Sequence, residues 1–215
     1  MSHYQFFNSD GLTMREHTEL LVATNNAGKV RELSQLLSDF PLRLRLLGEF
    51  PDITEAEETG ETFAENATIK ALHYSSHSRL LTLSDDSGLV VDALGGAPGV
   101  RSARYAGREA TYAERMSKLL SALDATGDPE RRARFVCVIA VADPSAGTLH
   151  TFEGTCEGRI AHAPHGTGGF GYDPLFIPDG HERTFGELPA EVKHTLSHRA
   201  RALMLAARYL REHFT

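Results

Sequence analysis

Two short apolar runs, Leu81-Thr82-Leu83 and Leu89-Val90-Val91, bracket the acidic stretch Ser84-Asp85-Asp86-Ser87-Gly88 near the middle of the chain. Runs of this length suit buried strands, and Asp, Ser and Gly favour turns for steric reasons, so the segment reads as strand, tight turn, strand. Its chemical reading is different. Two aspartates at the end of a buried strand are hard oxygen ligands that can hold Mg²⁺ or activate a water.

Upstream, Leu20-Leu21-Val22-Ala23 suits a buried strand, followed by the polar loop Thr24-Asn25-Asn26-Ala27-Gly28-Lys29. Val30, Leu33, Leu36 and Leu37 then recur at helical spacing, with Arg31, Glu32 and Gln35 on the other side. Strand, loop and helix together make an anion cradle, in which backbone N–H groups and the Lys29 ammonium share one target. The loop is not a Walker A sequence, and it reads equally as an Asn-rich turn that caps a helix. Leu42 to Leu46 alternates as a strand with one wet face. The stretch Glu55 to Phe63 packs its glutamates ahead of a helix predicted over 63–76, with Thr62 and Glu65 at capping-box spacing. The helix dipole accounts for Glu61 and Glu65, but not for Glu57 and Glu58, one of which can complete a metal site with Asp86.

Downstream, Gly95-Gly96-Ala97-Pro98-Gly99 is too rich in glycine for regular structure, and Arg101, Arg104 and Arg108 follow it. Thr111 and Glu114 announce a helix over 112–125. Residues 134–142 and 148–157 read as a hairpin joined by Asp143-Pro144-Ser145-Ala146-Gly147. In the second glycine-rich loop, Gly166 to Pro174, an aromatic ring suits either stacking on a flat ligand or plugging a hinge. Ser197 reads as the N-cap of a final helix, which places His198 and Arg199 in its first turn. Cations oppose the dipole there, which points to a ligand contact.

The chain has 215 residues and a net charge of -7, with 41% hydrophobic residues. That is enough for one large domain with its own core, read as 19–215, behind an extension over 1–18 expected to be flexible. The negative balance argues against a nucleic-acid partner, and no run is long enough to span a membrane. Cys137 and Cys156 have no metal-ligand or disulfide pattern and read as core residues, consistent with a cytoplasmic location.

In this order the motifs resemble one family, the Ham1-like nucleoside triphosphate pyrophosphatases, also called inosine/xanthosine triphosphate pyrophosphatases. The resemblance runs from Leu20 to Leu210, through Thr24 to Lys29, Glu57-Glu58-Thr59-Gly60, Asp85 to Leu89 and Gly95 to Gly99 with Ser102-Ala103-Arg104-Tyr105. Gly168 to Pro174 and Ser197-His198-Arg199 complete it. It implies an α/β fold with an elongated mixed sheet flanked by helices, two lobes and a central cleft, assembled as a homodimer. It implies hydrolysis of ITP, dITP and XTP to the monophosphate and pyrophosphate with Mg²⁺. Asp86 is implied as proton acceptor, and Glu57 and Asp86 as metal ligands. Thr24, Asn25, Asn26, Ala27, Gly28, Lys29, Ser87, Phe170, Gly171, Tyr172, Asp173, Lys193, His198 and Arg199 are implied as substrate contacts. The Maf-type pyrophosphatases, of related fold, begin instead with a Ser- and Arg-containing loop. A non-catalytic nucleotide sensor would keep the cradle without needing the acidic pair.

Overall fold

The computed structural model describes residues 18–38 and 40–214. The expectation for 1–18 lies, apart from Thr18, outside the described residues. Six strands form one mixed sheet in the order β2-β1-β3-β4-β5-β6. β1 (Glu19–Val22) lies parallel to both β2 (Arg43–Leu46) and β3 (Leu81–Val91). β4 (Arg132–Asp143), β5 (Thr148–Ile160) and β6 (Phe176–Pro178) continue it antiparallel. The helices are α1 (Ala27–Leu36), α2 (Phe63–Ser78), α3 (Tyr112–Asp124), α4 (Ala190–Leu196) and α5 (His198–Phe214).

Local chemistry accounts for most of these boundaries. Thr62 with Glu65 and Thr111 with Glu114 form the two expected capping boxes. The Ser197 hydroxyl accepts the Ala200 N–H at 3.2 Å and so starts α5. Asp143 accepts the Ser145 N–H at 2.8 Å and closes the β4–β5 hairpin.

The central segment corrects the sequence reading. Leu81 to Val91 is one unbroken strand of 11 residues, with no turn at Asp85-Asp86-Ser87-Gly88. Ten consecutive pairs with β4, from Thr82↔Ala142 to Val91↔Ala133, hold even these turn-forming residues extended. Tertiary pairing has overridden local propensity.

Side chains alternate across the sheet, and this gives each face its own core. On one face Leu81, Leu83, Cys137, Ile139 and Val141 pack with α1 and α5. On the other, Val138, Ala140 and Ala142 pack against Ala67 and Ala71 of α2. A second lobe gathers Leu89, Val91, Phe135 and Phe176 with Leu119 and Leu123 of α3. Both cysteines are buried and free, as expected.

The α5 face is fitted very closely at Gly154, where a Cβ would strike the His198 carbonyl oxygen and the Ala202 nitrogen, both backbone atoms. Backbone cannot step aside as a side chain can. Gly154→Ala is therefore expected to cost about 1–3 kcal/mol in urea unfolding. A loss of a few tenths would mean that α5 can lift off β5 freely.

Candidate active site

β1 is short, and this creates the site. It pairs with β3 only as far as Val22↔Leu83. Beyond that point β3 runs on with β4 at one side and an unpaired edge at the other, until the isolated bridge Val90↔Pro98. Side chains satisfy several backbone groups on this edge. The Asp85 carbonyl oxygen accepts from Lys70 Nζ of α2 at 2.8 Å and lies 3.4 Å from Lys29 Nζ of α1. The Leu89 N–H donates to Ser102 Oγ at 2.9 Å, and the Ser87 N–H to Asp86 Oδ1 at 3.0 Å. An open cleft runs along this edge, lined by both charged and apolar side chains.

The strand period sends the two neighbouring aspartates to opposite faces. Asp85 is fully buried beneath α1 and α5, where Lys29 Nζ is 3.1 Å and Arg199 Nε 3.3 Å from its Oδ2. Burial alone would raise its pKa, but these charges and Lys70 outweigh burial and hold it far below the usual carboxylate range. Asp86 faces α2, with Lys70 Nζ 3.7 Å from Oδ1. Its buried Oδ2 has no partner. Burial raises its pKa against the opposing pull of Lys70 and Lys29. One carboxylate is a buried structural ion; its neighbour lines the cleft. They do not form a paired metal site.

Of the two glutamates, Glu58 lines the cleft, with Lys70 Nζ at 2.8 Å and Arg104 at 3.8 Å. Glu57 is exposed and does not line it. The structure thus brings Glu58, rather than Glu57, to Asp86. Lys70 was not anticipated; its only sequence signal is a lysine one helical turn beyond Asn66 on the inward face of α2.

The first loop forms a cap rather than an open cradle. Asn26 is the N-cap of α1, and its side chain accepts the N–H groups of Gly28 at 2.9 Å and Lys29 at 3.2 Å. Those amides are therefore already used. Thr24, Asn25, Asn26 and the Lys29 side chain line the cleft, while Ala27 and Gly28 do not. Gly28 serves another purpose. A Cβ there would stand 2.7–2.9 Å from the Phe170 ring, so its lack of a side chain allows that ring to seat.

The cleft is also lined by Ser87, Phe170, Gly171, Tyr172, Asp173, Lys193, His198 and Arg199. The half-buried Phe170 ring has Lys193 Nζ at 4.7 Å and the Arg199 guanidinium at 5.5 Å from its centroid. Tyr172 departs from the expectation for aromatics in a glycine loop: it is a core residue, whose hydroxyl donates to the Ser102 carbonyl at 3.0 Å. Lys193 donates to Glu32 and Asp173, each at 2.5 Å. Arg199 donates to Glu32, to Asp85 and to Ser87 Oγ at 2.9 Å. Glu32, read from the sequence as part of the wet face of α1, is thus the hub of the network. Arg199 and Lys193 outweigh its burial and keep its pKa low. Neither cation is exhausted: one of the three Lys193 donors and two of the five on Arg199 remain.

His198 stacks on Phe135, with centroids 4.7 Å apart, and its Nδ1 is buried without a partner. Burial, with Arg199 and Lys193 nearby, holds its pKa well below the ordinary value of 6.5. The native imidazole stays neutral while an unfolded one takes a proton below that pH, so stability falls as pH drops through 6.5. His198→Gln is expected to remove about 1.4 kcal/mol of the stability difference between pH 7.5 and 5.5, measured by urea unfolding. An identical acid dependence in the variant would show that the imidazole is protonated in the native state.

With this geometry in place, the comparisons with known proteins agree with one another. Residues 20–209 match the model of the Ham1 family. The chain is 50% identical over 192 residues to a dITP/XTP pyrophosphatase of Desulforamulus reducens, covering 89% of this chain and 95% of that protein. It is 49% identical to a dITP/XTP pyrophosphatase of Geobacter sulfurreducens, covering 90% and 96%. Among solved structures, a HAM1 protein from Coxiella burnetii superposes with a TM-score of 0.84 at 44% identity, covering 91% of this chain and 99% of that one.

Proposed function

Because the chain belongs to the Ham1 family, we propose that it hydrolyses dITP, XTP and ITP between the α and β phosphates, giving the monophosphate and pyrophosphate with Mg²⁺ as cofactor. What carries the proposal is the gathering of Lys29, Lys70, Asp86, Phe170, Lys193 and Arg199, from α1, α2, β3, the second glycine-rich loop, α4 and α5, on one cleft.

The residues present fit Mg²⁺. Among the described residues no cluster of three or more metal-ligating side chains exists. Mg²⁺ does not need one, because it binds through one or two carboxylates and fills its other positions with water and substrate phosphates. Asp86, whose buried Oδ2 lacks a partner, and Glu58 supply two such groups. When bound there the ion would neutralise phosphate charge.

The other roles belong to the chain itself. Asp86 orients a water and accepts its proton, and burial increases its proton affinity for that task. Lys29 and Lys70 offset the charge of the triphosphate, which otherwise repels an attacking water. The remaining donors of Lys193 and Arg199 favour the 6-oxo group of hypoxanthine or xanthine, whereas the 6-amino group of adenine would face a donor. Phe170 stacks on the purine without distinguishing one from another. Such an activity would clear deaminated purine nucleotides from the cellular pool, and a cytoplasmic homodimer belongs to the same proposal. The test is pyrophosphate release with Mg²⁺ from ITP, dITP, XTP, GTP and ATP, with the first three expected to turn over fastest. Tight binding of ITP without release would make the protein a sensor instead.

A further inference from the structure

The acidic segment 54–60 has no helix or strand of its own, yet it is held at every second residue. The Thr54 carbonyl oxygen lies 2.7 Å from His73 Nε2. The Ala56 N–H donates to the Tyr74 hydroxyl at 3.2 Å. The Glu58 carboxylate meets Lys70 at 2.8 Å, and the Gly60 N–H donates to Asn66 Oδ1 at 2.8 Å. Asn66, Lys70 and Tyr74 are spaced i, i+4, i+8, so they form one row along α2. The segment runs antiparallel to that row, and its even-numbered residues make the contacts. Glu57, one position out of step, is exposed.

From this we propose that Asn66 and Tyr74 are positioning residues that set the register of the acidic segment, so that Glu58 rather than Glu57 is presented to Asp86 as the second cation-binding carboxylate. Neither residue acts on substrate; each fixes a backbone N–H on one side of Glu58. Asn66 is fully buried, and its two neighbours in the row reach the segment through a side chain each. A slip of one residue would put Glu57 where Glu58 now meets Lys70.

The inference rests on the metal site proposed above, but its test does not require turnover. In Tyr74→Phe and Asn66→Ala, hydrogen exchange should lose protection at the amide of the altered rung, Ala56 or Gly60. Mn²⁺ titrated into the nucleotide-free protein and followed by EPR should bind about 3–10-fold more weakly, as expected for loss of one hydrogen bond. Glu58→Gln should weaken Mn²⁺ binding more than Glu57→Gln. Loss of amide protection with unchanged Mn²⁺ affinity would reduce the row to packing and overturn the inference, as would a larger effect from Glu57→Gln. Tyr74→Phe keeps the ring, so it carries the test even if Asn66→Ala does not fold. If the wild type releases no pyrophosphate, the proposed function falls while these two measurements still decide the register.

Discussion

Asp86→Asn should lower pyrophosphate release from ITP by roughly 10³-fold, within the range that a positioned general base supplies. Its thermal unfolding should stay close to that of the wild type. The two expectations come from the same geometry. Asp86 Oδ2 is buried without a partner, and burial disfavours the ionised form that catalysis needs. An amide of the same shape removes that unfavourable charge and can still accept the Ser87 N–H, now at 3.0 Å from Oδ1. Lys70 keeps the Asp85 carbonyl and Glu58 as partners. The measurement is a pyrophosphate-release assay beside thermal denaturation on the same preparation. Turnover within threefold of the wild type would remove Asp86 from the chemistry.

Arg199→Ala should act first on the fold, by about 3–5 kcal/mol. From the sequence, Arg199 reads as a ligand contact. The structure gives it a larger duty. It is 2% exposed, and it is a partner of Asp85, Glu32 and Ser87. Truncation leaves Asp85 to Lys29 and Glu32 to Lys193 inside a cavity the size of a guanidinium. For a chain of this length the loss corresponds to a fall in Tm of roughly 6–20 °C, readable by circular dichroism. Arg199→Lys keeps a charge at the site but not the planar fork, so it should lose less stability while narrowing the preference for ITP over ATP. A Tm shift under 2 °C for Arg199→Ala would mean that the buried carboxylates are neutral and the network carries little energy.

The contrast between Asp85 and Asp86 shows where sequence reasoning stops. Both are legible as acidic residues in an apolar setting, and the family likeness singles out Asp86. Nothing local says that the first is consumed by a lysine and an arginine, the latter 114 positions away, while the second lines the cleft beside Lys70. The same holds at Glu32. Helical spacing places it on the polar side of α1, which is correct as periodicity, but that side faces Lys193 and Arg199 rather than water.

By itself the sequence determined the elements whose causes lie within a few residues. The capping boxes at Thr62 and Thr111, the Ser197 cap, the β4–β5 hairpin and the buried run in β1 all follow from neighbouring side chains competing for neighbouring backbone groups. It also identified the cleft-lining residues Thr24, Lys29, Ser87, Phe170, Lys193 and His198, through the family pattern. Only the tertiary structure decided that Ser84 to Gly88 is extended, because ten pairings with β4 outweigh five turn-prone residues. Only it decided which of two adjacent acids faces the cleft. Strand alternation fixes that two neighbours diverge, but which face receives the charge-rich cleft depends on where β1 ends and on which helices supply the cations, and both are long-range facts.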